Sequence, residues 1–305
     1  MIDILMATYN GSNYLRNQLL SLQQQTEEDW TLYIRDDGST DDTIEIINDF
    51  SRNDKRIKVI TDSFGNLGAG KTFLELTKYS TSDYIIFCDQ DDIWFEKKLE
   101  NLFSSASEKL STDKPSLVYC DAYGYDSTKG IISLNSISRA HATCLNEFLF
   151  FNAGYQGCSI LFNRSLCNLL NEYTPDFYMH DDIVSLLAHT FGDVYFLNEP
   201  LMLYRQHDSN VTGNINYSFS TKLMKIFNND GFVISKSHYN EKVNFYHFYH
   251  DKISDDDKKI FEAYFNYPKL NLKDRLILIY RYKFKMGKDK LSLYVKTIFQ
   301  KPLES

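Results

Sequence analysis

The chain has 305 residues, 43% of them apolar and 24% charged, which leaves room for one large domain or two modest ones and excludes wholesale disorder. Only 13 glycines and 5 prolines argue against collagen-like, propeller or linker-rich designs. The net charge of −8 is uneven: from Lys269 onward ten Lys/Arg face Asp274, Asp289 and Glu304, so this tail carries +7 and the first 268 residues −15, a balance unsuited to non-specific nucleic-acid binding.

Two periods alternate over the first 120 residues. Ile2–Tyr9 reads as a short apolar strand closed by the turn Asn10-Gly11. Leu15, Leu19, Leu20 and Leu22 recur at helical spacing. Trp30–Arg35 is the next predicted strand and runs into Asp36-Asp37-Gly38-Ser39. Thr43–Phe50 is a predicted helix, with Thr40 or Asp41 as its cap. A strand over Ile57–Ile60 and a helix over Thr72–Tyr79 follow. The apolar strand Tyr84–Cys88 then ends in Asp89-Gln90-Asp91-Asp92, before a helix starting near Phe95. Leu117–Cys120 repeats the strand pattern. Such alternation predicts βαβ units and an α/β, Rossmann-like, mostly parallel sheet with flanking helices. Further on, Gly157–Phe162 and Val194–Leu197 read as strands, and Leu145–Phe151, Leu166–Glu172 and Ile183–His189 as helices. From Tyr217 onward only helices are predicted, which divides the chain into 1–215 and a helical region, 216–305.

No run approaches the ~18 apolar residues of a membrane span, and the N-terminus reads as a strand rather than a signal peptide. Five cysteines, an odd number without close pairing, point to a reducing compartment. A cytoplasmic protein is therefore expected.

Polar clusters fall at the carboxyl ends of the predicted strands, the edge where open α/β sheets bind ligands. Thr8, Tyr9 and Asn10, then Asp36–Ser39, then Asp89–Asp92 should share one cleft. Three carboxylates within four residues repel one another, and a hard divalent cation, Mg²⁺ or Mn²⁺, is the obvious partner for the cluster Asp89-Gln90-Asp91-Asp92. A solvated helix-capping turn is the plainer reading of the same residues. Gly65–Thr72 matches the phosphate-loop pattern GxxxxGK[ST], so a nucleotide hydrolase is a rival, although Asp89 follows Lys71 by only 18 positions. A non-catalytic binding module is the other rival. His180-Asp181-Asp182 opens an apolar helix, where a carboxylate either caps or serves as general base. Arg205 and His207, on alternate positions of an extended segment, point the same way and could meet a diphosphate.

Taken in order, ATYNG (7–11), RDDGSTDDT (35–43), NLGAGKTF (66–73), FCDQDDIW (87–94), MHDDIV (179–184) and LYRQH (203–207) resemble the motifs of inverting family 2 glycosyltransferases with the GT-A fold. The set DQDDIW, His-Asp and LYRQH is similar to bacterial rhamnosyltransferases of surface-polysaccharide assembly, which use dTDP-rhamnose. The resemblance implies nucleobase and ribose contacts at Thr8, Tyr9, Asn10, Asp36 and Asp37. It implies a donor-binding segment at Asn66, Gly68 and Lys71. Asp89 and Asp91 then match the DxD-type metal motif, His207 completes the metal or diphosphate site with Arg205, and Asp181 aligns with the base. The related pattern usually has Trp after the His-Asp pair, so Asp182 leaves the base open between two neighbours. The implied partners are a nucleoside-diphosphate sugar and a glycan or lipid-linked saccharide.

The basic tail calls for its own account. Arg281–Met286 alternates cations with apolar groups, and Leu291, Tyr294, Val295 and Ile298 recur at helical spacing. Amphipathic helices are expected from about 269 onward, resting on an anionic membrane surface or packed on the acidic body or in a homodimer seam.

Overall fold

The structure, a computed structural model, describes residues 1–138, 140–206, 231–289 and 291–304. Strands β1 (Ile2–Thr8), β2 (Trp30–Asp36), β3 (Ile57–Ile60) and β4 (Tyr84–Cys88) pair in parallel in the order β3-β2-β1-β4. Helices α1 (Leu15–Gln23), α2 (Thr43–Asn53) and α3 (Ala69–Thr77) connect them. Beyond β4 the sheet continues through β8 (Ile160–Asn163), β6 (Leu117–Asp126), β9 (Val194–Gln206) and the short β5 (Ile93–Trp94). Here only β6 and β9 run parallel; β7 (Ile131–Ser136) adds an antiparallel edge to β6.

Register sets the cleft. Thr8 stands opposite Asp36 and Met6 opposite Cys88, so three strands finish side by side and release their polar loops at one edge. Side chains alternate across the sheet. Ile4, Met6, Ile86, Cys88 and Val118 meet α1, α2 and α4 (Lys98–Lys109) on one face. Leu5, Ile85, Phe87, Leu117 and Tyr119 meet α3, α6 (Arg164–Glu172) and α7 (His180–Phe191) on the other. The same alternation that predicts the strands therefore supplies two cores.

Several expectations need correction. The helix expected near Phe95 begins at Lys98, because β5 and a turn intervene. Gly157–Ser159 is a 3-10 turn, and the strand starts only at Ile160. Val194–Leu197 is the start of a 13-residue strand. The C-terminal region is not helical throughout: Phe232–Ile234 and Lys301–Leu303 form a parallel pair between segments some seventy residues apart. Three-residue strands are too short to show a period. The run 281–286 is helical only at its first two residues. The helix Leu272–Tyr282 stops at Lys283, which takes a left-handed φ of 53°, and the turn drives Phe284 into the core against Phe150. Lys285 meets Glu147 at 2.5 Å.

The C-terminal helices share a core with the sheet. Phe245 and Tyr249 of helix Lys236–Tyr249 pack on Phe191 and Tyr173, and Tyr264, Tyr267 and Phe284 surround Phe150. All five cysteines are free thiols. Among the described residues no helix is long and apolar enough to cross a membrane.

Burial pushes the buried His189 imidazole down to about 3, while its Nε2 meets the Tyr155 hydroxyl at 2.9 Å. An unfolded histidine titrates near 6.5, so between pH 6.5 and about 3 the unfolded chain holds the extra proton. His189 therefore favours folding at neutral pH and loses that contribution as pH falls through this window, at a limiting slope of about 1.4 kcal/mol per pH unit. In His189→Gln, which keeps a partner for Tyr155, the fall in melting temperature between pH 6.5 and 4 should be shallower than in the unaltered protein. Parallel melting curves would count against this origin of acid sensitivity.

Candidate active site

The first wall of the cleft is a hydrogen-bonded cradle. Thr8 Oγ1 donates to Asp36 Oδ1 at 2.9 Å, and Asp36 also accepts from the Ser39 amide and hydroxyl at 2.8 and 2.6 Å. Gly38 turns this loop at φ 95°, a region that side chains with a Cβ disfavour. Asn10 accepts from the Thr40 amide at 2.8 Å, and half-exposed Tyr9 exchanges two 3.0 Å backbone hydrogen bonds with the Gln90 side chain. Gln90 thereby ties the loop after β4 to the loop after β1.

Asp37 turns inward. Its carboxylate meets Arg35 Nη1 at 2.6 Å and accepts from the Leu67 and Gly68 amides at 2.8 Å each, while Asn66 donates to its carbonyl at 2.8 Å. Arg35 is buried and also pairs with Asp62 at 2.8 Å. The 66–68 segment is thus clamped to the end of β2. This weighs against the nucleotide-hydrolase reading, because a phosphate loop needs its amides free for phosphate. Lys71 lies 61% exposed, with Asp176 at 3.8 Å.

The second wall is the acidic loop. Asp92 is fully buried: Oδ1 accepts from the Arg205 amide at 3.1 Å, and Oδ2 has no hydrogen-bond partner. Ligand atoms of Asp89, Asp92 and Cys158 lie within 4.8 Å of one another. Burial, and then Asp91, pushes the Asp89 carboxyl up to about 7; Asp92 is raised by burial and by both neighbours. Burial and the same carboxylates raise the Cys158 thiol, so it stays protonated beside them. Beneath this cluster Lys98 is buried, with its ammonium 2.7 Å from the Cys158 carbonyl, 2.9 Å from Met202 Sδ and over the Trp94 ring. The two carboxylates of this cluster are donors that a hard divalent cation prefers, and one of their oxygens is buried without a hydrogen-bond partner; the protonated Cys158 thiol is not such a donor, and Asp91, expected from the sequence, is not part of the cluster. Arg205 is buried too: Nε donates to the Asp91 carbonyl at 2.6 Å, and the guanidinium lies 5.0 Å from both the Tyr14 and Tyr125 rings. His207 lies outside the described residues.

The third wall is the N-terminus of α7. His180 is a core side chain packed on Phe73 and Phe87, and burial lowers it to about 3, so it is neutral. Asp181 is partly exposed, and its carboxyl is raised well above the usual range by burial, by Asp182 and by Asp89; the ring of its neighbour His180 lies 4.8 Å from that of Phe87, two residues before Asp89, which sets the helix start beside the acidic loop. Asp182 is buried and meets His238 Nε2 at 3.0 Å. The structure therefore brings Thr8, Asp36, Asp89, Asp91 and Asp181 to one edge and turns Asp37, Asp92 and Asp182 inward. Gln90, Lys98, Cys158 and His238 were not singled out from sequence. Lys98 sits beside an exposed Lys97 with nothing to separate the two, and Cys158 reads as strand packing.

This architecture, a sheet whose carboxyl edge gathers a nucleotide-type cradle and an acidic loop, is that of the GT-A glycosyltransferases. It matches the crystal structure of S. aureus TarS 1-349 in complex with UDP-GlcNAc with a TM-score of 0.58 at 15% identity, covering 97% of this chain and 88% of that one. The mannosyltransferase PcManGT from Pyrobaculum calidifontis, in complex with GDP-Man and Mn²⁺, matches with a TM-score of 0.54 at 11% identity over 92% of this chain and 73% of that one. In sequence, residues 3–169 match glycosyl transferase family 2. A dTDP-rhamnosyl transferase, RfbG of Shigella flexneri, is 32% identical over 240 residues, 72% of this chain and 78% of its own. The UDP-Glc:alpha-D-GlcNAc-diphosphoundecaprenol beta-1,3-glucosyltransferase WfgD of Escherichia coli is 36% identical over 100 residues, 33% of this chain and 38% of its own. The chain belongs to glycosyl transferase family 2 and is a glycosyltransferase.

Asp37→Ala should cost about 3 kcal/mol of stability, because it leaves two loop amides and one arm of a buried arginine without their acceptor. Denaturant unfolding measures this; a loss below about 1 kcal/mol would mean that the 66–68 segment is held by other contacts.

Proposed function

We propose that the enzyme transfers a sugar, with inversion, from a nucleoside diphosphate to a saccharide acceptor in bacterial surface-polysaccharide synthesis. Its first candidate donor is dTDP-rhamnose, by similarity to RfbG. The observation that carries this reading is that the Thr8–Asp36 cradle, the Asp89–Asp91 loop tied to it through Gln90, and the α7 start that bears Asp181 lie along one sheet edge. Tyr9, Asn10, Asp36 and the 66–68 segment frame the nucleoside, with Asp37 holding the frame and Lys71 at its rim. Inversion is a single displacement: the acceptor oxygen bonds to the anomeric carbon as the bond to the diphosphate breaks on the opposite face. Asp181 takes the acceptor proton, since Asp182 is already engaged by His238. Asp89 and Asp91, with Asp92 behind them, would hold Mn²⁺ or Mg²⁺, and a bound cation supplies positive charge for the leaving diphosphate. The buried Arg205 braces the loop from below.

The working experiment is a thermal-shift screen with UDP-, GDP- and dTDP-sugars, with and without Mn²⁺, because a ligand that binds the native state raises apparent stability by mass action. dTDP-rhamnose should give the largest shift, and only with Mn²⁺. Asp91→Asn should abolish turnover in a folded protein, and Asp181→Asn should lower the rate about 10²–10⁴-fold with donor binding kept. Full turnover in chelator would remove the metal from this reading. Wild-type rates in Asp181→Asn, with loss in Asp182→Asn, would move the base by one residue.

The acceptor is proposed to be lipid-linked, with the tail resting on an anionic membrane surface. Lys273, Ile277, Tyr280 and Arg281 share an exposed stripe of one helix, and Leu291, Val295, Ile298 and Phe299 share one of the next, Ser292–Phe299. Tyr280 is 80% and Leu291 70% exposed. A two-fold dimer through this surface would set two +7 tails against each other, whereas anionic headgroups accept both the charge and the apolar side chains. Sedimentation with phosphatidylglycerol-rich vesicles should deplete the protein at low salt, and Tyr280→Glu/Ile298→Glu should abolish this without lowering the melting temperature. Equal recovery with neutral vesicles, or a salt-stable dimer lost in the double variant, would speak against it.

A further inference from the structure

Four ionisable side chains that the chemistry above does not use are buried together behind the proposed base: Asp182 on α7, and His238, Glu241 and Lys242 on helix Lys236–Tyr249. Each reaches the walls around Asp181. His238 Nε2 stands 3.0 Å from Asp182 Oδ2, with the Ser235 hydroxyl on its Nδ1. Glu241 accepts from the Tyr178 amide at 2.6 Å, just ahead of α7. Lys242 donates to the Phe151 carbonyl at 3.3 Å, and Asn152 bonds both the Val233 carbonyl and the Ser235 amide at 3.0 Å. The 151–157 loop in turn lies so close to α7 that a Cβ at Gly154 would collide with the Asp181 carbonyl.

Burying four such groups is costly unless each is paired. Here His238, Glu241 and Lys242 each have a partner on one of the two segments that flank Asp181. We propose that His238 is a positioning residue for the transfer reaction: by engaging Asp182 it fixes the first turn of α7 and leaves Asp181 as the one carboxylate of the pair turned toward the cleft. This inference rests on the reading of Asp181 as the base. It makes the C-terminal helix part of the catalytic apparatus without touching substrate. Next to Asp181, an unengaged Asp182 would be a second carboxylate of like charge and free orientation.

The test compares His238→Ala, His238→Gln, Asp182→Ala, the double variant Asp182→Ala/His238→Ala, and Asp181→Asn, all in the full chain. Turnover is followed as dTDP release from dTDP-rhamnose in Mn²⁺ with water as the acceptor, whose proton Asp181 takes as rhamnose is freed, donor-site integrity by dTDP-induced thermal shift, and the α7 start by amide hydrogen exchange over 178–184. His238→Ala should lower kcat about 10–100-fold, with dTDP binding within about twofold and exchange over 178–184 at least about tenfold faster. His238→Gln, whose side-chain amide can reach the Asp182 carboxylate from the Nε2 position, should recover most of both. The double variant should be no worse than the poorer single one, because both act through one contact. Unchanged exchange over 178–184 in His238→Ala overturns the proposal, as does strict additivity of the two substitutions or equal loss in Ala and Gln. If Asp181→Asn turns over normally, the base reading fails by itself, and the exchange measurement still decides whether His238 holds the turn.

Discussion

Like-charge repulsion at a single sheet edge is the constraint around which this molecule is organised. Asp36, Asp37, Asp89, Asp91, Asp92, Asp181 and Asp182 all come to the carboxyl ends of the strands or to the helix start facing them, and groups of different kinds meet several of these carboxylates. Backbone amides and hydroxyls satisfy Asp36. A buried arginine takes Asp37. The ammonium of Lys98 offsets part of the charge of Asp89 and Asp92 from below. An imidazole from the far end of the chain meets Asp182. Asp89, Asp91 and Asp181 stay partly exposed at this edge, where the repulsion between carboxylates is strongest.

The sequence made the edge legible because its signals are local. A period of two followed by an acidic cluster marks a strand end, and parallel register brings such ends together without any side-chain detail. The counter-charges were not legible, since each is a long-range partner with no local signature. Lys98 is one of two adjacent lysines; only the fold decides that it is the buried one. His238 lies 56 positions from Asp182, in a helix whose sequence shows no apolar stripe. Asp91 and Asp92 are adjacent and chemically identical, and only the strand geometry turns Asp92 inward onto Arg205.

The same reasoning separates two kinds of basic residue in the tail. Arg275 reaches back to the Tyr267 and Pro268 carbonyls, and Lys285 pairs with Glu147, so these belong to the packing of the tail on the body. Lys273, Arg281 and Lys288 stay exposed, around the apolar stripes. Because Ile279, Phe284 and Leu293 are buried in the shared core, the tail cannot be cut away without opening that core. Surface substitutions are the way to separate its two roles.

The pairing of Lys301–Leu303 with Phe232–Ile234 has a consequence for the order in which the molecule matures. Glu304 Oε2 accepts from the Lys236 amide at 2.9 Å, and its own amide donates to the Ile234 carbonyl, so the last described residues pin the start of the helix that carries His238. A nascent chain assembles its N-terminal parts first. The helix that carries His238 is therefore left unpinned at its start until residues 301–304 have been made and have paired with Phe232–Ile234.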